Sequence, residues 1–419
     1  MNNLHHKTIY FLALFLIENI SWAGTGLKEA YLSALNQNEA IKIGQSKTKQ
    51  TEESVNQNVG TFLPKLNLVG SYTRLGLPEV SHNPTYERKN YSLKFNATQS
   101  LFKGFKDFYI YRSSKEDVLS QKEQESFTRL NLYSSVTQYF YTILSYESDL
   151  KNLNEQRELL SSRVKELGER VKIGKSRKAD FLSAKSQLAS TMAQIELGKS
   201  QLLIAREGFA NLTSLDANVS LESPSQTLPE AGSLSKYLER IENRPDILSL
   251  KRQLESTSKL AVAAKLSHLP SLDLSSNYYL DRSGQTRPSM WDVGLTFTLP
   301  LFEGGVVSSQ VRQALEKQIE KSLVLDQTRK SAEKEIKTFH ASLLSSQSQI
   351  VALEESIKTS EEAYKEHLKD YRYGLSTMLD VLQAQNSYLD AKKNYDRLRS
   401  QIFLTWAQLL ISTADESIN

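Results

Sequence analysis

The fold of this 419-residue chain is decided by two stretches, FLPKLNL at 62–68 and HLPSLDL at 268–274, which lie 206 residues apart. Each follows a segment with few breakers, 26–60 and 233–268, whose pattern predicts a helix. In each stretch a proline ends that helix, because proline cannot donate within it. Behind the proline, apolar and polar residues begin to alternate as in a strand. This correspondence predicts an internally duplicated chain.

The correspondence continues further along the chain at an offset of 200 instead of 206. Leu101-Phe102-Lys103-Gly104 matches Leu301-Phe302-Glu303-Gly304. The six extra residues of the first copy fall between its two strands, which predicts a surface loop there. We therefore expect a first structural repeat at 24–232 and a second at 233–419, with residues 213–232 linking them.

Each repeat is predicted to contain one β-hairpin, at 65–101 and at 271–301, with strands of about ten residues. That length suits a tilted membrane-spanning strand, although two hairpins of a soluble domain would show the same alternation. Bacterial membrane barrels need at least about eight strands, and lipid does not tolerate open sheet edges. If the four strands span a membrane, several chains must pool them, and three chains give a 12-stranded barrel.

Long helical hairpins are predicted at 105–212 and 306–412, each turning at a glycine, Gly174 or Gly374. The first helix of each hairpin contains no proline and would be about 100 Å long at 1.5 Å per residue. Apolar residues recur along both at heptad spacing, which is typical of helices that pack against partner helices. His367 falls in that register, and we expect it to be packed or half-solvated rather than a metal ligand.

The remaining sequence features concern export and chemistry. Residues 1–23 have a polar start, nine apolar residues from Ile9 to Ile17, and Ser21-Trp22-Ala23 at the end, which predicts a secretory signal peptide. The chain has no cysteine and a net charge of only +4, which disfavours thiol chemistry, thiolate metal sites and nucleic-acid binding. No catalytic motif stands out, so we expect no enzyme activity, no cofactor and no bound metal.

Several motifs resemble those of the TolC-type outer-membrane efflux proteins. The resemblance covers 24–412, and its most specific part is Asn243-Arg244-Pro245-Asp246-Ile247 ahead of His268-Leu269-Pro270. Tyr371-x-x-Gly374, followed by Asp380-Val381-Leu382-x-Ala384-Gln385, is nearly as specific. Members are trimers whose strands close a 12-stranded barrel in the outer membrane and whose helices form a barrel across the periplasm.

The resemblance implies a transport function in which the protein catalyses no reaction. The chain would be the exit duct of a tripartite efflux pump or a type I secretion system, docked by its helical tips onto a periplasmic adaptor and an inner-membrane pump of the RND or ABC type. The cargo would be small molecules or proteins. The alternative reading is a soluble periplasmic coiled-coil adaptor or scaffold, which also contains helical hairpins but needs an inner-membrane anchor.

The resemblance also implies roles for residues near the two turns. Asp380 matches an acidic ring at the periplasmic constriction, where carboxylates favour cations. The alternative role is that of a helix-entry acid favoured by the helix dipole. Gln383 stands where many members have a second acid, so we expect a single ring. Tyr371 matches a tyrosine that locks the closed entrance by bonding an acid at the position of Asp180. Ser376 replaces the arginine that completes this lock in some members, and Tyr371 could instead be a packing residue.

The turns themselves, 171–178 (the first tip) and 371–378 (the second tip), are the expected contact with the adaptor. Gly174 and Gly374 form the bends, and Lys175 and Arg372 are among the side chains that make the tips basic. Basic residues at the end of a helix also complement its dipole, so both roles remain open.

Overall fold

The structure is a computed structural model that describes residues 24–74, 76, 89–223, 227–283 and 289–414. The predicted signal peptide, residues 1–23, lies outside the described residues. The described chain is mainly helical, with one small antiparallel sheet.

Eight α-helices and two 3₁₀ turns are present in the described residues. The helices are α1 (Leu27–Gln37), α2 (Glu39–Gly60), α3 (Lys106–Lys172), α4 (Lys178–Thr213), α5 (Leu234–Leu238), α6 (Pro245–Lys265), α7 (Val306–Tyr373) and α8 (Met378–Ser412). The 3₁₀ turns are Ile241–Asn243 and Leu266–His268. The two longest helices, α3 and α7, contain 67 and 68 residues, and each folds back into a shorter helix, as the sequence predicts.

The helices expected at 26–60 and 233–268 are each interrupted, which corrects the prediction of continuous helices. Asn38 adopts an extended backbone, and its side chain accepts a hydrogen bond from the Ala40 N–H at 2.9 Å, so it caps the start of α2. Arg244 is also extended, with φ −62° and ψ 133°. The following Pro245 disfavours the helical conformation at this position, and α6 begins at the proline itself.

The sheet contains β1 (Lys65–Arg74), β2 (Lys89–Lys103), β3 (Ser271–Arg282) and β4 (Trp291–Thr298), paired antiparallel in chain order. Pairing of β2 with β3 joins the two predicted hairpins into one sheet. Lys65 lies opposite Thr98 in the first hairpin, and Ser271 lies opposite Thr298 in the second. Adding 206 to the residue numbers of β1 and 200 to those of β2 therefore converts the register of the first hairpin into that of the second.

The two faces of the sheet differ in polarity. One row across the strands consists of Asn67, Asn96, Asn277 and Asp292. Asn96 donates to Asn277 Oδ1 at 2.9 Å, and Asn277 donates to Asp292 Oδ1 at 2.8 Å. The alternate positions carry exposed apolar side chains, including Leu66, Leu68, Tyr72, Trp291, Val293, Leu295 and Phe297. No element in the described part of the chain covers this apolar face.

Strand β4 ends at Thr298, three residues before the predicted end of its hairpin at 301. Its equivalent β2 runs on to Lys103, because β3 continues to pair with it after β1 has ended. Beyond Thr298, β4 has no such second neighbour in the chain, so its hydrogen bonding stops where β3 begins at Ser271. The difference in length is therefore a consequence of position at the edge of the sheet.

The long helices pack along one another, α3 against α4, α6 and α8, and α7 against α6 and α8. Arg397 of α8 forms a bidentate ion pair with Asp149 of α3, with an Nη2–Oδ2 distance of 2.6 Å. Tyr141 and Phe403 stack at a ring-centroid distance of 6.0 Å. Among the residues that the structure describes, no helix combines the length and apolar composition needed to cross a membrane.

Candidate gating and docking tips

The two tips have the same backbone geometry. Gly174 and Gly374 have φ values of 71° and 78°, a left-handed conformation that favours glycine. In both tips the N–H of the residue after the glycine donates to the carbonyl five residues earlier, at 2.8 and 2.9 Å. This is the Schellman arrangement, which satisfies the last carbonyls of a helix and reverses the chain. Both turns lie at the glycines predicted from the sequence, Gly174 and Gly374.

Asp380 caps helix α8 immediately after the second tip. Its Oδ2 accepts hydrogen bonds from the Thr377 N–H at 2.8 Å, the Thr377 hydroxyl at 2.6 Å and the Ser376 hydroxyl at 3.2 Å. The Thr377 hydroxyl in turn accepts from the Asp380 N–H at 3.3 Å, which completes a capping box. The hydroxyl and N–H of Thr377 hold the pKa of Asp380 below its ordinary value, so the carboxylate is ionised at neutral pH.

These hydrogen bonds show that Asp380 acts as a helix-entry acid. Its carboxylate also places a negative charge next to the second tip. Gln383 is exposed one turn further on, three residues away and thus on the same face of α8. A ring formed by Asp380 requires further copies of the chain, so it stays a prediction. The pattern Thr-x-x-Asp at 377–380 is a capping signature that the sequence alone could have disclosed.

Tyr371 and Asp180 have other partners within the chain. Asp180 accepts from the Arg177 guanidinium, with an Nη2–Oδ1 distance of 3.2 Å. The Arg170 guanidinium lies over the Tyr371 ring, 5.6 Å from its centroid, a distance typical of a cation–π contact. In the described part of the single chain, no hydrogen bond joins Tyr371 to Asp180. The lock between them therefore stays a prediction. Neither the contact of Arg170 with Tyr371 nor that of Arg177 with Asp180 is predicted from the sequence.

A buried apolar cluster lies behind the tips and joins both hairpins. Leu160 and Leu167 of α3 pack there with Ala184 of α4 and with residues of α8. The α8 members are Met378, Val381 and Leu382. Close packing in this cluster therefore holds the two hairpins against each other at this level. Tyr371 and Leu368 of α7 pack against the same cluster, whereas His367 is exposed and contacts the Ser376 hydroxyl at 3.4 Å.

The surface of the tips combines basic and apolar side chains. Lys175 and Arg372 are exposed, and their contact with an adaptor stays a prediction. Ile173, Tyr373 and Leu375 are also exposed beside them, and the sequence analysis did not single these residues out. Exposed apolar side chains with a polar rim are typical of protein interaction surfaces.

Two long helical hairpins whose tips share one backbone geometry, together with a small sheet whose apolar face no described element covers, match the architecture that the resemblance to outer-membrane channels implies. The family model "Outer membrane efflux protein" matches residues 30–215 and 237–413. The chain belongs to this family, which confirms the resemblance stated above. It is an outer-membrane protein.

Individual relatives are distant in sequence and close in fold. The chain is 22% identical over 426 residues to outer membrane protein TolC of Escherichia coli (strain K12), covering 94% of this chain and 82% of that protein. It is 25% identical over 197 residues to the proteases secretion protein PrtF of Dickeya chrysanthemi, covering 46% and 43% of the two chains. The crystal structure of VceC from Vibrio cholerae superposes with a TM-score of 0.81 at 20% identity, covering 92% and 95%.

Proposed function

We propose that three copies of this chain form the exit duct of a tripartite efflux pump or of a type I secretion system. Membership of the outer membrane efflux family supports an efflux or secretion route. In the proposed assembly each copy is an internally duplicated chain with repeats at 24–232 and 233–419. The duct would carry small molecules or proteins and would perform no chemistry itself.

The observation that carries the proposal is the sheet. It has four strands, two unpaired edges at β1 and β4, and an exposed apolar face. Lipid excludes open sheet edges, whereas an apolar face is expected where a strand meets lipid. Three such sheets joined edge to edge give a closed 12-stranded barrel that satisfies both conditions.

The helical hairpins would form the periplasmic part of the duct. Their tips, with Lys175 and Arg372 beside exposed apolar residues, suit docking onto a periplasmic adaptor that recruits an inner-membrane pump of the RND or ABC type. Three copies of Asp380 would place three carboxylates around one axis near this entrance. Such a ring favours cations at a narrow pore mouth.

The alternative, a soluble periplasmic adaptor or scaffold, accounts less well for the sheet. A soluble domain buries the apolar face of its hairpins, and here Leu68, Leu295 and Phe297 are exposed. No described element covers them within the chain.

Separation of membranes and light scattering test the proposal. The full chain is expressed with residues 1–23 present, the inner and outer membranes are separated, and the protein is purified in detergent. We expect it in the outer-membrane fraction, with a protein mass three times that of the mature chain. Recovery in the soluble periplasm without detergent, or the mass of a single chain in detergent, would overturn the proposal.

A further inference from the structure

Two basic side chains lie against one tyrosine ring on the polar face of the sheet, the face that carries Asn96 and Asn277. The Arg282 guanidinium is 4.0 Å from the Tyr279 ring centroid, and the Lys94 ammonium is 5.5 Å from it. Both distances are typical of cation–π contacts. We propose that Lys94 and Arg282 form a binding site for a carboxylate or phosphate group inside the duct. This inference rests on the proposed function, because it requires the polar face of the sheet to line the pore.

An irregularity in β3 decides which charged side chain lies on the polar face. Lys94 lies opposite Tyr279, and the residue before Lys94 lies opposite Asp281, so Leu280 is an extra residue in β3. A bulge of this kind shifts the alternation of the side chains that follow it. Arg282 therefore lies on the same face as Tyr279, in agreement with the contact between them. Under strict alternation Asp281 would take the polar face and Arg282 the apolar one. The bulge thus places a basic group where an acidic one would otherwise lie.

The basic groups exceed the acidic groups at this end of the polar face. The acidic residue beside the site is Asp292, whose Oδ1 accepts a hydrogen bond from the Asn277 amide at 2.8 Å. One carboxylate therefore accompanies the two cations, Lys94 and Arg282. Along the whole polar face of the strands, basic residues again outnumber acidic ones. They are Lys65, Lys94, Lys103 and Arg282 against Asp273 and Asp292.

The tyrosine ring prepares the two basic side chains for an anion. Lys94 and Arg282 are both half-buried, and each is held against Tyr279. Less rotamer freedom is therefore lost when an anion binds between them than with two unrestrained side chains. The planar guanidinium of arginine also matches the geometry of carboxylate and phosphate groups. Because both groups remain partly in contact with water, the site suits transient binding rather than retention of the cargo.

The position of the site gives the duct opposite charges at its two ends. The site lies where β3 ends and β4 begins, at the end of the sheet away from the long helices. In the proposed trimer, three such sites surround one axis there, and rings of basic residues favour anions in a pore. The carboxylates of Asp380 would favour cations at the other end of the duct. An anionic group of the cargo would thus be attracted at the exit and not at the entrance.

Reversal potentials across a planar lipid bilayer with a KCl gradient test this inference. The test variant carries Lys94→Gln and Arg282→Gln. The matched control carries Arg74→Gln and Lys89→Gln, which lie opposite each other at the same end of the sheet. Both control residues lie on the apolar face, since they follow the alternation of Tyr72. The control therefore removes the same charge from the chain, but on the face away from the proposed pore.

We expect the test variant to be more cation-selective than the unmodified trimer, because it loses an attraction for chloride. Near about 0.1 M salt, where charges act over roughly 10 Å, its ratio of potassium to chloride permeability should rise at least about twofold. The rise should shrink near about 1 M salt, where this range falls to about 3 Å. The control should keep the ratio of the unmodified protein. Inorganic triphosphate, used as an anionic probe, should reduce the current of the unmodified protein and the control several times more than that of the test variant.

An unchanged permeability ratio in the test variant, or an equal rise in the control, would overturn the site and leave the proposed duct standing. Equal reduction of all three currents by triphosphate would do the same. If the double variant does not assemble, Lys94→Gln and Arg282→Gln are measured separately, and an unchanged ratio in both would overturn the site. Absence of current steps from the folded, unmodified trimer would instead overturn the proposed function.

Discussion

Replacement of Arg244 by methionine is predicted to destabilise the chain by removing a buried guanidinium that ties three helices together. Arg244 is 9% exposed. It donates to Asp246 from Nη2 at 2.9 Å and to Glu335 of α7 from Nη1 at 2.8 Å. It also donates to the Ser412 carbonyl at the end of α8, at 2.8 Å. One side chain thus joins the start of α6 to α7 and α8.

The magnitude follows from what the substitution leaves behind. The Asp246 side chain is only 15% exposed, and removing one partner of a buried ion pair costs about 3–5 kcal/mol. The Ser412 carbonyl loses a hydrogen bond in a buried position, which costs about 1–3 kcal/mol. The Glu335 side chain is 43% exposed, so its pair contributes little, at most about 1 kcal/mol. Because methionine recovers part of the packing, we expect a loss of about 3–5 kcal/mol.

Urea unfolding of the detergent-solubilised protein, followed by far-UV circular dichroism, measures this loss by linear extrapolation. The control is Arg329→Met, which removes ion pairs to Glu242 and Asp326 from a side chain that is 37% exposed. We expect the control to cost less than about 1 kcal/mol. If Arg244→Met costs no more than the control, the assignment of Arg244 as the tie between the helices is wrong.

Three further predictions concern the tips and the contact between copies. Gly374→Ala should lower the free energy of unfolding by about 1–2 kcal/mol. The φ of Gly374 is 78° and no atom lies near an added Cβ, so the cost comes from the backbone conformation alone. Urea unfolding measures this loss, and the control Gly60→Ala, which lies in helix α2 with open space around an added Cβ, should not destabilise the chain. The protection factors of amide hydrogens in the first turn of α8, which compare their exchange with that of an unfolded peptide at the same pH, should stay high above the ordinary aspartate pKa of 3.8 and fall as the pH drops below it, because the folded-state pKa of Asp380 is lowered. Asp380→Asn should remove this pH dependence, and protection factors that do not change with pH would contradict the cap. Leu197→Glu should reduce the trimer fraction measured by light scattering, because Leu197 is part of an exposed apolar surface of α4 that the proposed trimer would bury, whereas Lys199→Glu, two residues along the same exposed helix, should leave it unchanged.

The long helices α3 and α7 could be predicted from the sequence because their ends carry strong local signals. The first helix of the hairpin predicted at 105–212 is observed at Lys106–Lys172, because the absence of proline and the glycine turn at Gly174 define it locally. The interruption at Asn38 was missed, although asparagine is a good cap, because one residue within a helical pattern does not show that its backbone is extended.

Contacts between distant segments could not be read from the sequence. The pairing of β2 with β3 joins distant residues such as Asn96 and Asn277, which are 181 positions apart, and no local signal specifies it. The partners of Tyr371 and Asp180 were missed for a related reason. Arg170 and Arg177 were visible as charges in the sequence, but only the packed tip shows which groups they contact.

Conductance across a planar lipid bilayer tests the central claim most directly. The detergent-purified, folded trimer is reconstituted as the unmodified protein, as Asp380→Asn, and as Thr377→Ala, which removes the cap and keeps the carboxylate. We predict discrete, cation-selective current steps, with the selectivity reduced in Asp380→Asn and retained in Thr377→Ala. Equal loss in both variants would assign Asp380 to the cap alone. Absence of steps from the folded, unmodified trimer would contradict the claim that this chain forms a duct.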